Sequence, residues 1–84
     1  MKSNVYCEVL KLEKDGDWEE AHRIIQDINT PEAAWIHAYL HRVEGDHWNA
    51  NYWYNRAGRE FFSGATDEEW EMLFRYFSER YISD

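Results

Sequence analysis

The chain has 84 residues, a formal net charge of −8, 44% apolar residues and a single cysteine. An apolar fraction of this size supports one packed core and excludes a disordered acidic tail. The excess of acidic residues disfavours nucleic acid and anionic membranes as partners, because phosphate-bearing surfaces attract clusters of Lys and Arg. The lone Cys7 cannot form an internal disulfide, and the first residues show no apolar signal segment. We therefore expect one cytoplasmic domain, residues 1–84.

Apolar residues recur with a helical period in the first part of the chain. They predict a first helix from about Ser3 to Lys14, ended by an Asp-Gly-Asp segment. Asp17 is placed to cap a second helix, which runs to about Asn29. Together these two helices form the first predicted hairpin, 3–29.

The second hairpin is predicted over residues 30–58. Thr30, followed by proline, begins a third helix, which ends at Gly45. Asp46 then caps a fourth helix, and Gly58 stands where a C-terminal glycine ends it.

A fifth helix is predicted over 66–82. Thr66 followed by Glu69 matches a capping box, in which each residue satisfies a backbone N–H group of the other. The apolar side of this helix carries Trp70, Leu73, Phe74, Phe77 and Tyr81. We expect an all-α fold of about five helices, in which this amphipathic helix caps two hairpins. Either this helix or a partner covers the outer side of the fourth helix, which carries Trp48 and Tyr52.

The second helix of each hairpin carries the same pattern, displaced by 29 residues from Gly16 to Gly45. The fourth helix reads Gly-Asp-x-x-x-Ala-x-x-x-aromatic-x-x-Ala. Its members are Gly45, Asp46, Ala50, Tyr54 and Ala57. This pattern resembles the second helix of a tetratricopeptide (TPR) repeat. The resemblance implies a helical repeat of TPR-like antiparallel hairpins. In such a repeat, each hairpin needs a neighbouring hairpin to cover its apolar face.

Residues 35–58 read WIHAYLHRVEGDHWNANYWYNRAG. With Ala21-His22 and Gln26-Asp27 upstream, this segment is similar to a widespread family of small uncharacterised bacterial proteins. No activity is assigned to that family, so the resemblance implies the fold and adds nothing about function.

Five polar residues on the second and third helices are candidates for chemistry. His37, His41 and Glu44 share one side of the third helix, opposite its apolar face, and two imidazoles four residues apart can chelate one zinc ion. His22 and Gln26 lie four apart on the second helix. The set predicts a buried hydrogen-bond network, a small-molecule or metal site (a hydrolytic one included), or unrelated surface groups. A buried histidine would also make the fold sensitive to acid.

The fourth helix carries aromatic residues on more than one side, Trp48, Tyr52 and Trp53 among them, with Arg56 one turn on. Trp, Tyr and Arg are favoured at binding hot spots. No glycine-rich phosphate loop, nucleophile elbow or Cys-x-x-Cys occurs in the chain. The sequence therefore favours an interaction module for a protein partner or a second copy over an enzyme. It predicts no cofactor apart from the zinc alternative at His37, His41 and Glu44.

Overall fold

The computed structural model describes residues 4–80, which contain five α-helices and no β-strand. The helices are α1 (Val5–Lys14), α2 (Trp18–Ile25), α3 (Pro31–Glu44), α4 (His47–Ala57) and α5 (Thr66–Arg80). The predicted all-α class, with two hairpins followed by a C-terminal helix, is confirmed. The predicted start at Ser3, the end of the fifth helix at 82 and the placement of Tyr81 lie outside the described residues.

Short polar side chains begin the first four helices. Each accepts the backbone N–H of the residue three positions on, which satisfies one of the donors left free at a helix start. These caps are Asn4, Asp17, Thr30 and Asp46. At the end of α3, Gly45 has φ of 87°, a left-handed conformation that glycine adopts without steric cost. Short connections of this kind fold each helix pair back on itself.

The second helix is shorter than predicted and ends at Ile25 rather than near Asn29. Proline disfavours helical conformation in the residue before it, and Thr30, which precedes Pro31, is extended with φ −134° and ψ 156°. The chain therefore leaves the helix before Thr30. Its last turn tightens, with the Ile28 N–H donating to the Ile25 carbonyl at 3.1 Å.

The capping box predicted for the fifth helix is wrong by one residue. Thr66 is the first residue of α5 rather than its cap, and Glu69 is fully buried. The Glu68 carboxylate instead accepts the backbone N–H of Ala65 at 3.2 Å, which is the capping role expected of Glu69. Glu69 turns inward because it pairs with the Arg42 guanidinium.

Helix α3 lies at the centre of the fold and packs against the other four helices. Every residue from Ala33 to His41 is buried, so both its apolar and its polar sides face other elements. Val43 is 38% exposed because it lies in the last turn of the helix, beyond this enclosed stretch.

Helix α5 packs against α1 and α3, and among residues 4–80 it meets α4 through a side-chain hydrogen bond from Tyr54 to Glu69 rather than through close packing of the two helices. The Trp70 indole N–H donates to the Leu10 carbonyl at 2.8 Å, which ties α5 to the first hairpin. Of the two alternatives for the outer side of α4, cover by the fifth helix therefore does not hold for Trp48 and Tyr52, which remain exposed. None of the described helices combines the length and apolarity needed to cross a bilayer.

A buried ion pair connects three helices. The Arg42 guanidinium donates to Glu69 at 2.7 Å and to the Gly64 carbonyl at 2.6 Å. The Tyr54 hydroxyl donates to the other oxygen of Glu69. We call these groups the Arg42–Glu69–Tyr54 network. It joins α3, α4 and α5, and it satisfies a carboxylate that has no exposed surface.

Candidate functional site

Three histidines from two helices converge on one point. His22 comes from α2, and His37 and His41 come from adjacent turns of α3. Their ring centroids form a triangle with sides of 4.7, 4.9 and 5.2 Å. One ring nitrogen from each residue lies within 4.8 Å of the other two. We call this group the histidine cluster.

The cluster forms because the polar side of α3 is covered as well as its apolar side. His37 is 5% exposed and His41 8% exposed, while His22 is half-buried. Helix α2 packs against α3 and brings His22 to the histidines that the helical spacing had already aligned. The sequence left open that these residues are unrelated surface groups. The structure excludes that alternative for His22, His37 and His41, because their rings lie together.

The shortest contact within the cluster joins His22 Nε2 and His37 Nε2, which are 3.0 Å apart. Two neutral imidazoles can share only one hydrogen at such a contact, so one nitrogen donates and the other accepts. Two nitrogens bound to a tetrahedral zinc ion at about 2.0–2.1 Å would lie about 3.3 Å apart. The observed separation is therefore close to the spacing of ligands around a metal ion.

Glu44 contacts the cluster from outside. Its Oε1 lies 2.6 Å from His41 Nδ1 and accepts the N–H of that nitrogen, which leaves the lone pair on His41 Nε2. A carboxylate in this position fixes the tautomer and orientation of a metal-binding histidine. The structure therefore places Glu44 behind His41, and His22 stands at the third corner where the sequence had suggested Glu44.

Burial keeps the imidazoles in the form that binds metals. Loss of solvent, followed by the proximity of His22 and His41, lowers the pKa of His37 to about 3. Burial, followed by the proximity of His41, also lowers the pKa of His22. At neutral pH both rings are therefore uncharged and retain a nitrogen lone pair.

Two tryptophans form walls around the cluster. The Trp18 ring stacks on His22 with centroids 4.8 Å apart, and the Trp53 ring stacks on His37 at 3.9 Å. The Trp18 indole N–H donates to the Leu40 carbonyl at 2.7 Å, which fixes that wall. Trp18 is not among the candidate residues that the sequence singled out, although its position four residues before His22 places both on one face of α2.

Gln26 does not join the cluster. It is exposed and lines a cleft of about 430 Å³ between the end of α2, the first turns of α3 and the end of α4. We call this the Arg56 cleft, because Arg56 lines it together with His37 and Trp53. Gln26 and Arg56 thus lie beside the histidine cluster rather than within it.

The aromatic residues predicted as a docking surface on α4 divide between two sides of the helix. Trp48 is 77% exposed and Tyr52 45% exposed, with parallel rings 6.5 Å apart. We call these two residues the α4 aromatic surface. Arg56 lies beside it, 3.4 Å from the Tyr52 hydroxyl. Trp53 is half-buried and turns toward His37 instead.

No protein-family model, no curated protein and no solved structure matches this chain. No ligand or partner can therefore be inferred for this chain from a related protein. The histidine cluster, the Arg56 cleft and the α4 aromatic surface are the features of this chain whose chemistry points to a function.

Proposed function

We propose that this protein binds a divalent transition metal, Zn²⁺ in the first instance, through His22, His37 and His41. The observation that carries the proposal is the convergence of three ring nitrogens within 4.8 Å in a largely buried pocket. Imidazole nitrogen is a preferred ligand of zinc, copper and nickel, and a neutral ring is the form that coordinates.

A metal ion accounts for the cluster better than a hydrogen-bond network does. Each neutral imidazole has one N–H donor and one lone pair, and the contact between His22 and His37 uses only one of each. A cation at the centre of the triangle would accept three lone pairs at once. The Glu44 carboxylate behind His41 is the supporting partner that metal-bound histidines normally have.

The number of ligands favours a site with an open position. Closed structural zinc sites have four protein ligands, whereas catalytic sites have three and leave the fourth position to water or substrate. Water on zinc ionises near a pKa of about 7, which is the basis of zinc-dependent hydrolysis. A three-histidine site supports metal binding directly. It supports the hydrolytic alternative only as a further step, because hydrolysis also needs water bound to the metal.

The test is native mass spectrometry of protein prepared without an engineered His-tag or chelator, followed by calorimetric titration with ZnCl₂. We expect one zinc per chain in the wild type and loss of at least tenfold in affinity in His37→Gln. His47→Gln is the matched control, because His47 is exposed and lies outside the cluster. Equal zinc binding by wild type and His37→Gln, or no zinc binding by the wild type, would refute the proposal.

The α4 aromatic surface supports a second function, association with a second copy or a protein partner. Trp48 is the most exposed of the large apolar residues described, and nothing in α5 covers it. Helix α4 contains no carboxylate, so two copies of a chain with net charge −8 could approach there without acidic groups meeting.

Sedimentation velocity of the wild type and of a Trp48→Ala, Tyr52→Ala double variant tests this association. We expect a dimer in the wild type, a monomer in the variant, and unchanged helicity by circular dichroism. A wild type that stays monomeric at high concentration would contradict self-association, and loss of helicity in the variant would assign both residues to the core.

A further inference from the structure

No carboxylate of residues 4–80 lines the Arg56 cleft, in a chain that carries 17 acidic residues. Three other clefts on the described surface are each lined by at least two acidic side chains. The Arg56 cleft contains Arg56 and the side-chain amides of Gln26 and Asn29 instead. The positive charge of Arg56 attracts an anion that enters this cleft, whereas the acidic side chains of the other three clefts repel it.

Arg56 retains donors for such an anion, because its one side-chain hydrogen bond within residues 4–80 runs from Nη1 to the Tyr52 hydroxyl at 3.4 Å and leaves Nε and Nη2 available. It forms no ion pair within residues 4–80. Its guanidinium lies 5.3 Å from the Trp53 ring centroid and 5.9 Å from that of Tyr52, so two aromatic rings hold it in place. A guanidinium positioned in this way keeps the paired N–H donors that match a carboxylate.

His37 supplies a second donor to the same cleft. Its Nε2 faces His22, and no hydrogen bond to its other ring nitrogen, Nδ1, occurs within residues 4–80. Because no buried side-chain nitrogen or oxygen in those residues lacks a partner, Nδ1 must reach the surface. The residue is only 5% exposed, yet it lines the cleft. When Nε2 coordinates a metal, Nδ1 carries the hydrogen, and a metal-bound histidine normally donates that hydrogen to a carboxylate, carbonyl or water. The part of the chain that the structure describes places no carboxylate there.

The size and lining of the cleft indicate what would complete this arrangement. Its volume of about 430 Å³ is that of a small-molecule site. Ile28, Pro31 and Ala34 provide apolar surface beside the polar groups. A bare inorganic ion would leave that surface unused.

We propose that the Arg56 cleft binds a small organic carboxylate. Its oxygens accept hydrogen bonds from Arg56 and from His37 Nδ1, and its carbon skeleton lies against the apolar side chains. The contribution of Arg56 is independent of any metal, whereas the fixed Nδ1–H donor rests on the proposed metal site. Because binding linkage is reciprocal, zinc and the carboxylate should each strengthen the binding of the other.

Calorimetric titration tests this proposal with acetate, succinate and benzoate, and with the neutral amide of each acid. The wild type is used both zinc-loaded and after dialysis against EDTA. We expect saturable binding of at least one acid at one per chain, no binding of its amide, and several-fold tighter binding in the zinc-loaded protein. Arg56→Gln should weaken the binding at least tenfold. Arg75→Gln, an equal charge change at an exposed arginine outside the cleft, should leave it unchanged.

Failure of this proposal is distinguishable from failure of the metal site. Absence of binding for all three acids, equal binding of acid and amide, or equal affinity in Arg56→Gln would overturn the carboxylate site while zinc binding stands. Inorganic phosphate bound as tightly as the acid would overturn the assignment to an organic ligand. Acid binding that depends on Arg56 in a protein that takes up no zinc would instead overturn the metal site alone.

Discussion

Two groups of polar side chains are buried in this small fold, and they differ in how completely they satisfy themselves. In the Arg42–Glu69–Tyr54 network, opposite charges meet, and both oxygens of Glu69 accept hydrogen bonds. In the histidine cluster, three side chains of one type face one another, and His22 and His37 meet through nitrogens of the same kind. The first group is complete as a structural element. The second retains lone pairs that only a further atom would use, which is why we assign function to it.

The largest expected effect belongs to the complete network. Glu69→Ala removes the carboxylate and leaves the Arg42 charge largely buried without its partner. We expect the free energy of unfolding to fall by about 3–5 kcal/mol, measured by urea denaturation. Glu71→Ala is the control, because Glu71 is 67% exposed and 3.9 Å from Lys14. Its effect should stay within about 0.5 kcal/mol. Equal effects of the two substitutions would show that the buried pair does not hold the helices together.

An intermediate effect is expected where the cluster meets its supporting carboxylate. Glu44→Gln keeps the size of the side chain but weakens the acceptor for His41 Nδ1–H. Zinc affinity should fall about 10–100-fold, or about 1.4–2.7 kcal/mol, in a calorimetric titration. Glu19→Gln, at an exposed carboxylate on α2, is the matched control and should bind zinc as the wild type does. An unchanged affinity in Glu44→Gln would remove Glu44 from the site.

A smaller effect is expected from pH in the metal-free protein. The pKa of His37 is about 3 in the folded chain and about 6.5 in the unfolded chain, so the unfolded state takes up the proton first as the pH falls. The contribution of the neutral His37 ring to the free energy of unfolding is therefore fully present above about pH 6.5 and decreases as the pH falls below that value. Between pH 7.5 and 5.0 we expect His37 to remove about 2 kcal/mol from the free energy of unfolding.

His37→Gln is the comparison for this pH series. Urea denaturation across the same range should show a shallower dependence in the variant, because the substituted side chain does not titrate. Parallel pH profiles for the two proteins would show that His37 is not held neutral by the fold.

Local rules were sufficient to predict the elements of this fold but not its buried polar groups. Asp17, Thr30 and Asp46 act within four residues, and their capping roles were correct. Glu69 matched the same local rule, yet it is used by Arg42, 27 residues away in the chain. A carboxylate near a helix start fits either a cap or a buried pair, and only the tertiary packing decides between them.

The candidate site divides in the same way. The alignment of His37 and His41 follows from helical spacing and was predicted. Their burial was left open, because a helical wheel places both opposite the apolar face and does not show that α2 covers the central helix from that side. The outward position of Trp48 was left open for the same reason, since the docking direction of α5 is a property of the whole packing.

The position of His22 has one further consequence, which concerns cooperativity. His22 belongs to the first hairpin, while His37 and His41 belong to the second. A ligand bound by all three histidines would link the two hairpins. Helix α2 is only 8 residues long, and with the ligand bound it could no longer unfold locally while the rest of the domain stays folded. Amide protons of α2 would then exchange with solvent only when the whole domain unfolds, and the two hairpins would behave as one cooperative unit.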